Sequence, residues 1–153
     1  CFDDFYAACS HLVERGYTSP ERLSIIGGSN GGLLMGAMIT QHPDLCKAVV
    51  SSVGIYDMLR VELSPNGAFN ITEFGTVKDP EQFKALYAYS PYHHVTDGTR
   101  YPAILFMTGA NDPRVEAYGR LFYEQAVLSE GSRLKDPAGF ANRINELIAK
   151  SLK

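Results

Sequence analysis

The chain has 153 residues, of which 45% are apolar and 20% charged, and its formal net charge is −3 at neutral pH. That length suits a single domain, and that balance suits a packed core rather than a disordered segment. The isoelectric point near 5.8 excludes the basic footprint of a nucleic-acid-binding protein. No apolar run reaches the length of a membrane span and no signal-peptide pattern opens the sequence, so a cytoplasmic protein with no membrane partner is expected. Cys1, Cys9 and Cys46 are odd in number and lack C-x-x-C spacing, which predicts reduced, mostly buried thiols. The sequence opens at Cys1, directly inside a helix-like pattern, and is expected to be part of something longer.

In chain order, residues 3–15 place Phe5, Cys9, Leu12 and Val13 on one helical face, with Asp3 and Asp4 where a helix dipole favours acids and Gly16 as a stop. A loop over Thr18-Ser19-Pro20-Glu21 leads to a strand at 23–27, then a helix over about 33–42 that ends near Pro43. A second apolar strand is expected at 46–53. Residues 56–95 form a long excursion, with Pro65-Asn66-Gly67 as a turn and Asp79-Pro80-Glu81 as a helix start carrying proline near its first position. A third strand follows at 102–108. A helix is expected over 115–128, and a last one opens at Asp136-Pro137 with Phe140, Ile144, Leu147, Ile148 and Leu152 on one stripe. Strands alternating with helices predict an α/β fold with a parallel, doubly wound sheet. Three strands leave two sheet edges, so association through an exposed edge or through the 137–152 helix, as in a homo-oligomer, is expected.

The first strand and helix are joined by Gly27-Gly28-Ser29-Asn30-Gly31-Gly32. This satisfies G-x-S-x-G, a sharp strand-to-helix turn that presents a nucleophilic serine. The chemistry asks for those residue types. The serine sits in a strained backbone region, and glycines beside it let strand and helix approach closely. The helix N-terminus then lies beside Ser29, and the Asn30 backbone N–H can face a developing oxyanion.

Together with Tyr56-Asp57-Met58-Leu59-Arg60, Glu73-Phe74-Gly75, Tyr89-Ser90-Pro91-Tyr92 and Thr108-Gly109-Ala110-Asn111-Asp112-Pro113-Arg114-Val115, this turn resembles the catalytic domain of the prolyl oligopeptidase family of serine peptidases. The resemblance covers residues 1 to about 115 and implies a partial α/β-hydrolase fold acting on a short peptide or ester substrate without a cofactor. It makes Ser29 the nucleophile, the Asn30 N–H an oxyanion donor and Asp112 the acid that orients a histidine, in the chain order Ser, Asp, His. It makes Arg114 the residue that holds a substrate carbonyl. Where some members place a tryptophan that stacks on the substrate proline, this chain offers Phe69 and Asn70.

The family places its histidine downstream of that aspartate, but the four histidines here are His11, His42, His93 and His94. Residues 116–153 diverge, and are expected to form a distinct helical segment of what is otherwise expected to be a single incomplete domain. The sequence therefore predicts that no imidazole of the monomer lies within about 3.2 Å of the Ser29 hydroxyl. A serine hydrolase is the first reading; a catalytically silent scaffold completed by oligomerisation and a weak esterase are the alternatives. The His93-His94 pair has no companion ligands at suitable spacing, so no metal is expected.

Overall fold

Residues 1–108 are described by a computed structural model of the chain, and they alternate helix with strand. The first helix, α1, spans Phe2–Glu14 and carries Asp3 and Asp4 in its first turn. Gly16 ends it at φ 74°. The Gly16 N–H donates to the Val13 carbonyl and the Tyr17 N–H to the Leu12 carbonyl, at 2.9 and 3.0 Å. This pair of bonds satisfies carbonyls that the last turn leaves open. Cys9 is buried, with Phe2 and Phe5 packed on the same cluster. Leu12, expected on that face, is 41% exposed. The inward stripe runs Phe2, Phe5 and Cys9; Leu12, about 20° round the helix from Phe5, lies at the edge of that stripe in the last turn of α1.

Strands β1 (Ser24–Gly28), β2 (Ala48–Ser52) and β3 (Ala103–Met107) form one parallel sheet in the order β1-β2-β3. Ile25 pairs with Val49 and Val49 with Ile104, so these three share a face. The helix α2 (Asn30–Gln41) lies on it, and Met35, Met38 and Ile39 close the core against Ile25, Val49 and Tyr56. Each of these side chains, withdrawn from water, contributes about 1.5–3 kcal/mol. The opposite face begins with Ile26, which is 72% exposed.

Between β2 and β3 run the helices α3 (Gly67–Phe74) and α4 (Pro80–Tyr89), with single 3-10 turns at Val61–Leu63 and Pro91–His94. The start of α4 is as expected: the Asp79 carboxylate accepts from the Glu81 and Gln82 N–H groups, both at 2.9 Å, and Pro80 takes the first position. Gly67, expected within a turn, opens α3 instead. Leu33 of α2, Met58, Val61 and Leu86 form a second core under this excursion. Cys9 and Cys46 are buried thiols pushed up by burial, while Cys1 is exposed. Among the described residues, no helix is long and apolar enough to cross a membrane. The expected helix at 137–152, and the residues Asp112 and Arg114, lie outside the described residues.

Candidate active site

The three strands run in one direction, so their C-terminal ends open on one edge, where open α/β sheets hold their ligands. Ser29 stands there, one residue past β1, at φ 57° and ψ −119°. Its N–H donates to the Ser52 carbonyl at 2.9 Å, which ties the turn to β2. Directly alongside, one residue past β2, Val53 also has positive φ, at 44°, and its N–H donates to the Met107 carbonyl at 2.7 Å. A β-branched residue in that region is strained. The only two non-glycine residues with positive φ in the described chain are thus neighbours at this edge.

The glycines around Ser29 divide by role. A Cβ on Gly27 would run into the Gly31 carbonyl, and one on Gly32 would stand 2.5 Å from the Gly54 Cα. Those two positions permit the close approach of helix to strand and to the loop after β2. Gly31 meets nothing within 4 Å, so its place in the motif is not a matter of space. Beneath the turn, the Ser51 hydroxyl lies 3.4 Å from the Gly32 carbonyl and 2.6 Å from the Tyr56 hydroxyl. Tyr56 donating to Ser51, and Ser51 to Gly32, uses each proton once. Burial pushes the Tyr56 phenol up to about 12, so it stays protonated for that bond at neutral pH.

Ser29 and Asn30 are exposed. As the N-cap and first residue of α2, they stand where backbone N–H groups lack intrahelical partners. The Asn30 N–H is therefore free to meet an anion at the Ser29 hydroxyl. The Asn30 side chain donates from Nδ2 to Glu73 Oε1 at 2.8 Å, which brings α3 to the turn. Phe69 lies one helical turn from Glu73 on the same side of α3 and is 63% exposed. Asn70 is turned inward at 7% exposure, its Nδ2 set 3.3 Å from both the Val61 carbonyl and the Ser64 hydroxyl. The structure joins the turn at Ser29 and Asn30 to α3 through Glu73; Phe69 stands exposed one turn of α3 away and Asn70 is buried beneath the helix. Glu73, part of the Glu73-Phe74-Gly75 stretch that carries the resemblance, has no site role legible in the sequence, because its partner is 43 residues away.

Among the described residues, no hydrogen bond joins an imidazole to Ser29. His42 stacks on Tyr6 with ring centroids 3.7 Å apart. His93 Nδ1 lies 2.8 Å from the Ser90 hydroxyl and His94 Nδ1 lies 2.9 Å from the Ser90 carbonyl. No group of three or more His, Cys, Asp or Glu in the described residues could hold a metal ion.

His93 belongs to a polar cluster that sequence reasoning also missed. Asp57 is 3% exposed; its Oδ1 accepts from the Leu59 N–H at 3.2 Å and lies 4.0 Å from His93 Nδ1. Among the described residues its Oδ2 has no hydrogen-bond donor and is met instead by the Arg60 charge at 3.3 Å. Burial holds the His93 imidazole below its usual range, and Arg60 and His94 add to that, against the pull of Asp57. Unfolded, the same imidazole titrates near 6.5. Below that pH the unfolded chain takes a proton that the folded chain resists, so stability is intact above about 6.5 and falls as the pH drops through it. Denaturant midpoints at pH 7.5 and pH 5 check this: the loss on acidification should be smaller in His93→Gln.

The model of the prolyl oligopeptidase family matches residues 1–131. The chain belongs to the prolyl oligopeptidase family. It is 41% identical over 139 residues to a prolyl endopeptidase of Dictyostelium discoideum, covering 90% of this chain and 18% of that protein. It is 45% identical over 115 residues to one from Elizabethkingia meningoseptica, covering 74% and 16%. A solved prolyl endopeptidase superposes with a TM-score of 0.81 at 50% identity over 86% of this chain and 20% of the other. A post-proline cleaving enzyme from Rickettsia typhi gives 0.78 at 36% identity, over 84% of this chain and 18% of the other. The chain thus spans less than a fifth of the length of these two curated relatives. Within this family of serine peptidases, the parallel sheet, the turn at Ser29 and the helix behind it are the part the described residues present.

Proposed function

We propose that this chain carries the nucleophile of a serine hydrolase that cleaves short peptides or esters through an acyl-enzyme at Ser29. The observation that carries the reading is the strained, exposed Ser29 at the start of α2, beside the Asn30 N–H. The Ser29 oxygen attacks the scissile carbonyl while a base takes its proton. The carbonyl oxygen becomes an oxyanion held by the Asn30 N–H, and collapse of that intermediate expels the amine or alcohol, which leaves with the proton. Water then repeats the sequence on the acyl-enzyme.

Resemblance to the family gives Asp112 the task of orienting the basic imidazole and Arg114 that of holding a substrate carbonyl. Phe69 offers an apolar lip for the residue on the acyl side, and Asn70 supports that lip by fixing α3. No histidine lies between Asp112 and Lys153, so the residues given do not themselves name the base that takes the Ser29 proton. One alternative is a silent scaffold, in which the turn survives as structure alone, since among the described residues His93 and His94 are bound to Ser90 and no imidazole is bound to Ser29.

Labelling by a fluorophosphonate serine probe separates the two. Labelling of the wild-type chain that is lost in Ser29→Ala establishes an activated nucleophile. A folded sample that takes up no probe establishes the scaffold.

A further inference from the structure

We infer that Glu73 is a positioning residue for this site, holding Asn30 so that its backbone N–H stays aimed at the oxygen that becomes negative; the inference rests on the proposed role of Ser29. The turn needs such a hold. Ser29, the N-cap of α2, makes no side-chain capping bond, and the first turn of α2 contains no acid. Nothing local to the helix therefore restrains Asn30 or places negative charge at that terminus. Glu73 supplies both from a different element, through the 2.8 Å bond from Asn30 Nδ2 to its Oε1.

A hold of this kind is only as firm as the element that bears it, and α3 is anchored around Glu73. Asn70 Nδ2 reaches the Val61 carbonyl and the Ser64 hydroxyl, both at 3.3 Å. Just past the helix, the Thr76 N–H donates to Gln82 Oε1 at 2.9 Å and the Val77 N–H to Glu62 Oε2 at 3.2 Å. The carboxylate is thus carried on a helix bound to the turn before it and to α4 after it. Oxyanion stabilisation depends on donors that are in place before charge develops. A side chain fastened one residue from the nucleophile is a direct means of keeping that donor in place.

The bond is at the surface, so its loss should alter the site and not the fold. Glu73→Ala is expected to melt within a degree or two of wild type. Its fluorophosphonate labelling should slow by about tenfold or more, in the first-order step at saturating probe and not in the half-saturating concentration. Glu73→Gln keeps an acceptor oxygen and should recover most of the rate. Equal labelling of wild type and Glu73→Ala overturns the inference. If wild type takes up no probe, the Ser29 reading fails by itself, and the amide resonances of Asn30 and Gly31 decide the hold. Resonances displaced in Glu73→Ala and recovered in Glu73→Gln support it; resonances unchanged in Glu73→Ala overturn it.

Discussion

Gly32→Ala should destabilise the protein by about 3 kcal/mol, a loss at the upper end of what overpacking usually costs. In an isolated helix the same change would help, since alanine is favoured over glycine by about 1 kcal/mol. Here the added methyl would stand 2.5 Å from the Gly54 Cα, 3.1 Å from the Gly54 nitrogen and 3.2 Å from the Ser52 carbonyl oxygen. All three are backbone atoms, with no flexible side chain to swing aside, so the helix and the loop after β2 must separate. That loop contains the strained Val53, and Ser52 also accepts the Ser29 N–H, so the damage should reach Ser29. A melting temperature lowered by roughly 10 °C is the expected reading for a chain of this size. Gly31→Ala is the matched control. It changes the neighbouring residue of the same helix where nothing lies within 4 Å, and should leave stability equal or slightly raised. If both variants melt alike, the close approach at Gly32 is not what the position serves.

Ser90→Ala should cost about 2–3 kcal/mol, because it strands buried polar groups on several sides. Ser90 is fully buried, and its hydroxyl accepts the Met58 N–H at 3.1 Å. The same oxygen lies 2.8 Å from His93 Nδ1 and 3.4 Å from the Tyr56 carbonyl. Met58 has no exposed surface, so water cannot replace the lost acceptor without opening the second core. Thr72→Ala removes a hydroxyl whose bond to the Phe69 carbonyl is exposed, and should fall within about 0.5 kcal/mol of wild type. Urea midpoints of the two variants decide the matter. A Ser90→Ala loss no larger than that of Thr72→Ala would show that the cluster is not needed for stability.

The positions of the strands, the cap at Asp79 and the turn at Ser29 were all readable along the chain. Each depends on residues within a few positions of one another: an apolar run, an aspartate two and three residues from the N–H groups it accepts, glycines flanking a serine. The helix α3 was not readable. Gly67-Ala68-Phe69-Asn70-Ile71 contains glycine, asparagine and a β-branched residue, and no side chain caps it. It forms because Asn70 is bound to Val61 and Ser64. For the same reason Phe69 and Asn70, adjacent in the sequence and equal candidates there, part ways in space. Leu12 shows the lesser failure: its type and its spacing from Phe5 fit a core face, but it lies at the edge of the stripe and stays exposed.

Ser29 and its strand-to-helix setting are local chemistry, settled by a few neighbouring residues and therefore present in the sequence. The bond from Glu73 to Asn30 spans 43 positions, and the second cluster joins Asp57, after β2, to Ser90 and His93, after α4. No propensity or period registers such pairs, because they exist only once tertiary packing has brought the elements together; in the Asp57 and Ser90 cluster burial also removes the water that would otherwise satisfy the polar groups.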